Sequence, residues 1–302
     1  MELKLFKVEQ EDANIRLDKF LSKELEDISR TQIQDIIKSG KVLVNEKASK
    51  ASTIIFENDI IQIEIPDPVE VEILAEDIPL DIYYEDKDVI VVNKESGMVV
   101  HPAVGNYSGT MVNALMYHCK DLSGIGGVIR AGIVHRIDKE TSGLLVSCKS
   151  DLAHKSLSEQ FLNKTVKRKY YAVCHGEINH NFGKIEAPIG RDPQNRQKMA
   201  VVEGGKHAVT HFKVLERFNG FTLLELQLET GRTHQIRVHM AYIGFPVCGD
   251  PLYGPKKVIG KNGQYLHAKT LGFIHPRTGE ELEFDSPLPD FFEEFLEELR
   301  KL

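Results

Sequence analysis

The segment His135–Val146 reads HRIDKETSGLLV and changes abruptly from charged to apolar. Five of its first six side chains are ionisable, whereas Leu144–Val146 is an apolar run of the kind found in buried strands. Between them, Asp138–Gly143 has the composition of a loop. Ile133-Val134, just before the segment, predicts a second buried strand. The sequence therefore places Asp138 on a loop that is held by a strand on each side.

A carboxylate in such a position has two interpretations. Catalytic side chains are commonly presented on loops that a rigid scaffold supports, and an aspartate can act there as a nucleophile or as a general base. Arg136 lies two residues away and could instead make Asp138 one half of a structural ion pair. These residues alone leave both interpretations open.

A second charged cluster, Thr230–Met240 (TGRTHQIRVHM), follows an alternating strand and enters a predicted helix. Arg232 is placed at the strand-to-helix corner, with Ile236 as an apolar anchor of the helix. His234 and His239 are five positions apart, so they face different directions and do not form the i, i+4 pair of a helical zinc site. Packing or contact with phosphate is the expected role of these histidines.

The larger part of the chain predicts an α+β fold. Asp88–Asn93 (DVIVVN) is a short buried strand, and the dipeptide Asn219-Gly220 between two alternating segments predicts a hairpin. Leu152–Leu162 is an amphipathic helix. Antiparallel pairing with segregated helices excludes a doubly wound sheet.

Composition and the distribution of charge limit the classes of protein to which this chain can belong. The 302 residues carry a net charge of -7, but Asp67–Glu95 and Glu280–Leu302 account for -8 and -7, so the remainder carries +8. Basic runs at Arg30–Lys50 and Lys164–Lys169 are compatible with a polyanionic partner, although scattered solvated lysines explain either run alone.

The four cysteines form no CxxC pair, so reduced buried thiols are expected and no metal site. No apolar run reaches the length of a membrane span and no leader is evident, which predicts a cytoplasmic protein that binds no membrane.

The N-terminal part predicts a small separate module. Residues 16–39 read as two amphipathic helices, the second with Ser29 as its N-cap, and Gly40 ends it. Lys41–Lys47 and Ile60–Ile65 read as strands. A linker over residues 67–79, rich in proline and acid, separates a first domain (1–66) from a second (80–302). From these patterns alone, a small packing domain is as good an interpretation as a binding module.

This module resembles the RNA-binding module named after ribosomal protein S-four, in the segments RLDKFL, SRTQIQDIIKSGKVLVNEK and NDIIQIEI. Many members have Gly-Asp in the last turn where this chain has Asn58-Asp59, and asparagine tolerates positive φ. The resemblance implies that the second helix and the following turn present basic residues to RNA. Those residues are Arg16, Arg30, Lys38, Lys41 and Lys47.

The remaining motifs resemble the RluA/RluD-type pseudouridine synthases. They run in order over roughly residues 80 to 290: VHPAVGNYSGTMVNAL, HRIDKETSGLLV, RKYYAVCHG, LETGRTHQIRVHM, GDPLYG and LHAKTLGFIHP. Six ordered motifs are far more specific than any single one. The resemblance implies a mixed, mainly antiparallel sheet with a central cleft, and a reaction that needs no cofactor.

The resemblance also implies roles for individual residues. Asp138 matches the catalytic aspartate, which attacks the ribose C1′ or abstracts a ribose proton. Tyr170 matches the aromatic residue that stacks on the target base, and Arg232 matches the arginine that pairs with the aspartate and orients it. The residues expected to contact the substrate are Arg136, Leu266 and Ile236.

The first hypothesis is therefore an RNA pseudouridine synthase, most consistent with large-subunit ribosomal RNA as its partner, acting as a monomer on a flipped uridine. A non-catalytic RNA-binding or ribosome-assembly factor is the alternative from another class. A glycoside hydrolase is a third, but the acid partner that such enzymes need is not evident beside Asp138.

Overall fold

The computed structural model describes residues 2–25, 28, 30–65, 73–102, 106–119, 122, 132–195 and 198–302. The chain divides into two compact units, Met1–Val71 and Glu72–Leu302. The first residues of the expected linker 67–79 lie outside the described part. Its last residues belong to the second unit, where Ile73 is buried against Val112. The division into domains 1–66 and 80–302 stays a prediction.

The N-terminal unit is a small sheet covered by two helices. Its elements are β1 (Glu2–Lys7), α1 (Leu17–Glu24), α2 (Arg30–Lys38), β2 (Val42–Val44), β3 (Lys47–Ala48) and β4 (Ile60–Ile65). The strand order is β1-β4-β2-β3, antiparallel throughout. Leu17, Phe20 and Leu21 of α1 and Ile33 and Ile37 of α2 pack with Ile61 and Ile63 in one core. Both predicted helices are thus confirmed, while the N-cap at Ser29 lies outside the described residues.

One strand prediction in this unit needs correction, and one strand was not predicted. The single strand expected over Lys41–Lys47 is a hairpin, because Asn45 and Glu46 adopt φ of 50° and 64° and turn the chain between β2 and β3. The strand β1 was not expected, and it pairs along its whole length with β4. Asn58 has the predicted positive φ, at 67°.

The C-terminal unit contains eleven strands and four helices among its described residues. The strands are β5 (Asp81–Glu85), β6 (Val89–Lys94), β7 (Ser142–Cys148), β8 (Lys167–His175), β9 (Phe182–Glu186), β10 (Ile189–Arg191), β11 (Met199–Val201), β12 (Val209–Phe218), β13 (Phe221–Leu228), β14 (Leu266–Ile274) and β15 (Glu281–Asp285). The helices are α3 (Met111–His118), α4 (Asp151–Leu162), α5 (Gln235–Tyr242) and α6 (Asp290–Arg300).

Nine of these strands form one mixed sheet, in the order β5-β6-β7-β14-β8-β13-β12-β9, with β15 added beside β14. Within it β14 runs parallel to β7 and the other pairs are antiparallel. The predicted α+β class with a mainly antiparallel sheet is therefore confirmed. So are the hairpin at Asn219-Gly220 and the helix over Leu152–Leu162.

Both faces of the central strands are covered. In β6, Ile90 and Val92 point into the core beneath α3 and α5, whereas Val89 and Val91 point into the core that α4 closes on the other face. This explains why the strand reads as a continuous apolar run. None of the described helices has the length and apolarity to cross a membrane.

The segment that introduced Asp138 folds partly as expected. Its apolar end is β7, which is fully buried. Gly143 has a φ of 114°, and a Cβ there would lie 2.4 Å from the carbonyl oxygen of Ala268, so glycine lets β7 approach β14. The strand predicted at Ile133-Val134 is wrong: Ile133 makes one isolated bridge, because the Val146 N–H donates instead to the His135 ring.

Candidate active site

Asp138 lies at the junction of two adjoining cavities in the C-terminal unit, of about 700 Å³ and 550 Å³. Both are lined by Arg136, Asp138, His234 and Arg237. The carboxylate of Asp138 is 20% exposed, so it is accessible to a bound molecule. Volumes of this size are typical of sites that enclose a small ligand.

The loop that carries Asp138 is held by a buried lysine at the end of β6. Lys94 is 2% exposed and its ammonium donates to the carbonyl oxygens of Glu95, Met98 and Lys139 at 2.7, 2.8 and 2.9 Å. Burial lowers the pKa of Lys94 to about 7, against the opposing charges of Glu140 and Asp138. The lysine therefore joins the strand to the residue that follows Asp138. No pattern in the sequence distinguished it from the other lysines.

The cationic partner of Asp138 is Arg237, on α5. Its Nη1 donates to Oδ2 of Asp138 at 2.9 Å, while Nε and Nη2 donate to the two carboxylate oxygens of Asp250 at 2.7 and 2.9 Å. Burial alone would lower the pKa of Arg237, but the hydrogen bonds and charge of Asp250, followed by the charge of Asp138, raise it above its usual value. The guanidinium also lies 5.1 Å from the centre of the Tyr253 ring. A permanent positive charge is thus fixed between two carboxylates.

The expectation that Arg232 pairs with Asp138 is therefore wrong for this structure. Arg232 precedes α5 and its Nε donates to the carbonyl oxygen of His207 at 3.0 Å. Arg237 is the partner of Asp138 because Asp250, which is 1% exposed, holds its guanidinium in place. Asp250 accepts from two of its nitrogens and leaves the third for Asp138. Arg232 still lines the larger cavity.

His234 forms a further polar wall near Asp138. It caps α5 with a left-handed backbone (φ 56°), and its Nδ1 lies 2.8 Å from the Tyr253 hydroxyl. Its Nε2 is 3.9 Å from Oδ1 of Asp138. Burial lowers the pKa of His234, and the negative charge of Asp138 offsets part of that effect. The imidazole of His234 beside the carboxylate is therefore neutral.

The apolar side of the larger cavity gathers the residues that the motifs singled out. Tyr170 of β8, Leu266 of β14 and Ile236 of α5 are 6%, 4% and 4% exposed and belong to one core cluster. Burial raises the pKa of Tyr170, so its phenol is protonated at neutral pH. Arg136 is exposed at the cavity mouth. An apolar wall and a carboxylate thus line one cavity, an arrangement that suits a ligand with an aromatic ring and a polar group.

The N-terminal unit carries a separate group of basic residues. Arg16 and Arg30 donate to the fully buried carboxylate of Asp18 at 2.9 and 3.0 Å, and Gln34 donates to it at 2.7 Å. Burial alone would raise the pKa of Asp18, but these hydrogen bonds hold it well below its usual range. Of the other predicted RNA contacts, Lys38 is the last residue of α2, Lys41 directly precedes β2, and Lys47 lies on β3. Asp18 therefore fixes the direction of two of the five cations.

Two groups of potential metal ligands occur in the described part of the C-terminal unit, and cations already occupy both. Lys149 and His118 pair with Glu85 beside Cys119, at 2.5 and 2.8 Å. Arg277 binds Asp88 in the second group at 2.5 Å. Neither group lines the cavities around Asp138.

Comparison with known proteins identifies two regions. Residues 88–242 match the family described as RNA pseudouridylate synthase, and residues 15–61 match the S4 domain. An uncharacterized RNA pseudouridine synthase of Bacillus subtilis, YlyB, is 61% identical over 97% of this chain and 96% of the relative. The ribosomal large subunit pseudouridine synthase D of Zymomonas mobilis is 46% identical over 91% of this chain and 90% of the relative.

A solved structure is similar as well. The human RNA pseudouridylate synthase domain containing 1 superposes with a TM-score of 0.57 at 25% identity, covering 78% of this chain and 98% of the human chain. The likeness therefore extends from the sequence motifs to the architecture around Asp138.

Proposed function

Because the chain belongs to the RNA pseudouridylate synthase family, we propose that it isomerises uridines of large-subunit ribosomal RNA through Asp138. That it converts uridine in RNA to pseudouridine follows from the family. The choice of ribosomal RNA is supported by relatives named for the large ribosomal subunit, at 43–48% identity. The observation that carries the role of Asp138 is its accessible carboxylate, held by Arg237 opposite Tyr170 in one cavity.

The reaction breaks the N1–C1′ bond of uridine and forms a C5–C1′ bond, with loss of the C5 proton to solvent and gain of a proton at N1. In this proposal Asp138 attacks C1′ or removes a ribose proton, and the hydrogen bond from Arg237 keeps the carboxylate pointed at the sugar. Tyr170, Leu266 and Ile236 stack against the uracil while it turns. The uridine leaves its stack first, which costs a few kcal/mol (~2–4) that contacts with the RNA backbone offset.

The ribosomal substrate is tested in cells that lack this protein. Carbodiimide treatment followed by primer extension marks pseudouridines, and at least one stop on large-subunit ribosomal RNA is expected to disappear and to return with the wild-type gene. The Asp138→Asn gene should not restore it. Loss of stops in transfer RNA alone would contradict the ribosomal proposal and leave the activity intact. No change in any RNA would contradict the activity itself.

Replacing Tyr170 with phenylalanine removes one hydroxyl and retains the ring that stacks on the base. We expect kcat to fall by about 100-fold, the effect of losing a group that assists proton transfer, with RNA affinity unchanged. Tyr171→Phe is the matched control, because Tyr171 is the next residue of β8 and packs on the opposite face of the sheet. Tritium release from C5-labelled RNA measures both variants. Equal rates for the two would leave the Tyr170 hydroxyl without a role.

We further propose that the N-terminal unit binds RNA through Arg16, Arg30, Lys38, Lys41 and Lys47. Changing the three lysines together to glutamine should weaken RNA binding and lower the dependence of log Kd on log salt by about 2. Arg16 and Arg30 are left in place because their loss would strand the buried Asp18 carboxylate. The control changes Lys7, Lys19 and Lys23, which are exposed on the same unit and lie outside the basic run Arg30–Lys50. An equal loss in both triple variants would contradict a defined surface.

The monomeric state and the cytoplasmic location stay predictions.

A further inference from the structure

A second polar group lines the larger cavity, apart from the pair of Asp138 and Arg237. Its polar members are His135 and Arg168 on β8, and both lie against the ring of Phe161 at the end of α4. The rings of His135 and Phe161 stack, with centres 4.5 Å apart and planes at 26°. The guanidinium carbon of Arg168 lies 5.4 Å from the centre of the Phe161 ring. One aromatic side chain thus supports both polar groups against the cavity.

The tautomer of His135 follows from its backbone contact. Its Nε2 accepts the N–H of Val146 at 3.0 Å, so the ring hydrogen is on Nδ1. Nδ1 is buried and has no hydrogen-bond partner among the residues that the structure describes. Burial, with the charge of Arg168 adding to it, lowers the pKa of His135 to about 3, so the ring is neutral. His135 therefore presents one unused N–H donor and no charge.

Arg168 is the middle one of three consecutive basic residues, and it differs from its neighbours. Lys167 pairs with Glu281 and Lys169 with Glu225, at 2.5 and 3.4 Å. Arg168 alternates to the face that carries Tyr170 and points into the cavity. Within the described ranges no carboxylate lies at ion-pair distance from it, and its buried Nε has no acceptor. The Tyr170 hydroxyl lies beside its guanidinium, but this acceptor is neutral and leaves the charge unpaired. A half-buried guanidinium without an anion is unfavourable unless a ligand supplies one.

We propose that His135 and Arg168 form a phosphate subsite, which holds an RNA backbone phosphate next to the flipped uridine. The inference rests on the proposed function, because it takes RNA as the molecule in the cavity. The subsite offers N–H donors and a positive charge and no acceptor, which matches a phosphate with its two unesterified oxygens. A base carbonyl would use the donors and leave the charge uncompensated. Holding this phosphate would fix the ribose beside Asp138.

The charge of Arg168 is tested by the salt dependence of RNA binding. The full chain and its Arg168→Gln and Arg168→Lys variants are titrated with an RNA fragment that the wild type modifies, at several KCl concentrations. Arg168→Gln should weaken Kd by about tenfold and lower the salt slope by about 0.7, the loss of one single-strand phosphate contact, while Arg168→Lys retains the slope. Arg300→Gln is the control, since Arg300 is the last residue of α6, lies outside the cavity and pairs with Glu216 of β12. An unchanged slope in Arg168→Gln would overturn the proposal.

The identity of the contacted group is tested with altered RNA. A single methylphosphonate, which removes the charge of one phosphate, is placed on either side of the target uridine. At one of these positions it should weaken binding to the wild type by about tenfold and have no further effect on Arg168→Gln. Additive losses at both positions would overturn the contact. In 4-thiouridine the carbonyl oxygen at C4 is replaced by sulfur. If this change at the target weakens binding to the wild type and has no further effect on Arg168→Gln, the contacted group is a base carbonyl and the phosphate assignment is wrong.

The part assigned to His135 has a spectroscopic readout. In ¹H–¹⁵N spectra of the ring, the Nδ1-bound proton is expected to shift when RNA is added, with the resonance assigned from a His135→Gln variant. A resonance that stays in place would remove His135 from the subsite. If the wild type forms pseudouridine and none of these effects occurs, this inference fails and the proposed function stands. If the wild type modifies no RNA, the proposed function itself fails.

Discussion

Replacing Asp138 with asparagine is expected to lower kcat for pseudouridine formation by at least about 10,000-fold, with RNA affinity within about threefold of the wild type. Asparagine has nearly the size of aspartate, and its amide oxygen can still accept the hydrogen bond from Nη1 of Arg237, so the cavity keeps its shape. An amide cannot attack C1′ or remove a ribose proton at a useful rate. The loss therefore falls on the chemical step.

Two measurements separate chemistry from binding. Tritium release under single-turnover conditions with excess enzyme reports the chemical step, and fluorescence anisotropy with labelled RNA reports affinity. Asp290→Asn is the control, since Asp290 is an exposed carboxylate in the first turn of α6. A normal rate for Asp138→Asn would show that another group acts on the ribose. Loss of binding together with activity would show that the carboxylate orders the cavity more than it reacts.

The parts of the site that could be predicted from the sequence are those that local patterns determine. The apolar runs of β6 and β7 and the Asn219-Gly220 turn follow from short-range preferences, and the structure has them. Asp138 is accessible because a loop-forming segment precedes a buried strand. The ordered motifs also indicated which distant residues share the cavity, and Tyr170, Leu266 and Ile236 do lie in it.

The parts that could not be predicted depend on contacts between distant segments. Arg232 and Arg237 belong to one motif, and only the position of Asp250, brought under α5 by the following loop, decides which one reaches Asp138. Lys94 acquires its role because three backbone carbonyls converge on it. Ile133-Val134 has the composition of a strand, but the His135 ring takes the N–H of Val146. Composition and periodicity carry no information about such convergence.

Replacing Arg237 with lysine is expected to lower kcat by about 1,000-fold, and replacing Arg232 with lysine by less than about tenfold. Arg237 uses three nitrogens in one plane, two for Asp250 and one for Asp138, all within 2.9 Å. A lysine ammonium keeps the charge but is a single point on a flexible chain, so it cannot hold both carboxylates in these directions. Arg232 donates to the carbonyl oxygen of His207, a contact that an ammonium can make as well. Single-turnover rates on the same RNA compare the two variants.

A third variant, Asp250→Asn, decides whether Arg237 acts through its anchor. Asparagine retains one acceptor for the guanidinium and loses the charge that fixes it, so kcat should fall in the same direction as in Arg237→Lys. Because the two residues act as a unit, the double variant is expected to be little worse than Arg237→Lys alone. Asp250 is buried, so thermal unfolding is measured in parallel, and a rate loss in a folded variant is the informative result. Additive losses would mean that Asp250 serves stability and Arg237 acts independently of it. A loss in Arg232→Lys equal to that in Arg237→Lys would mean that bound RNA rearranges the site, so that both guanidiniums are needed to orient Asp138.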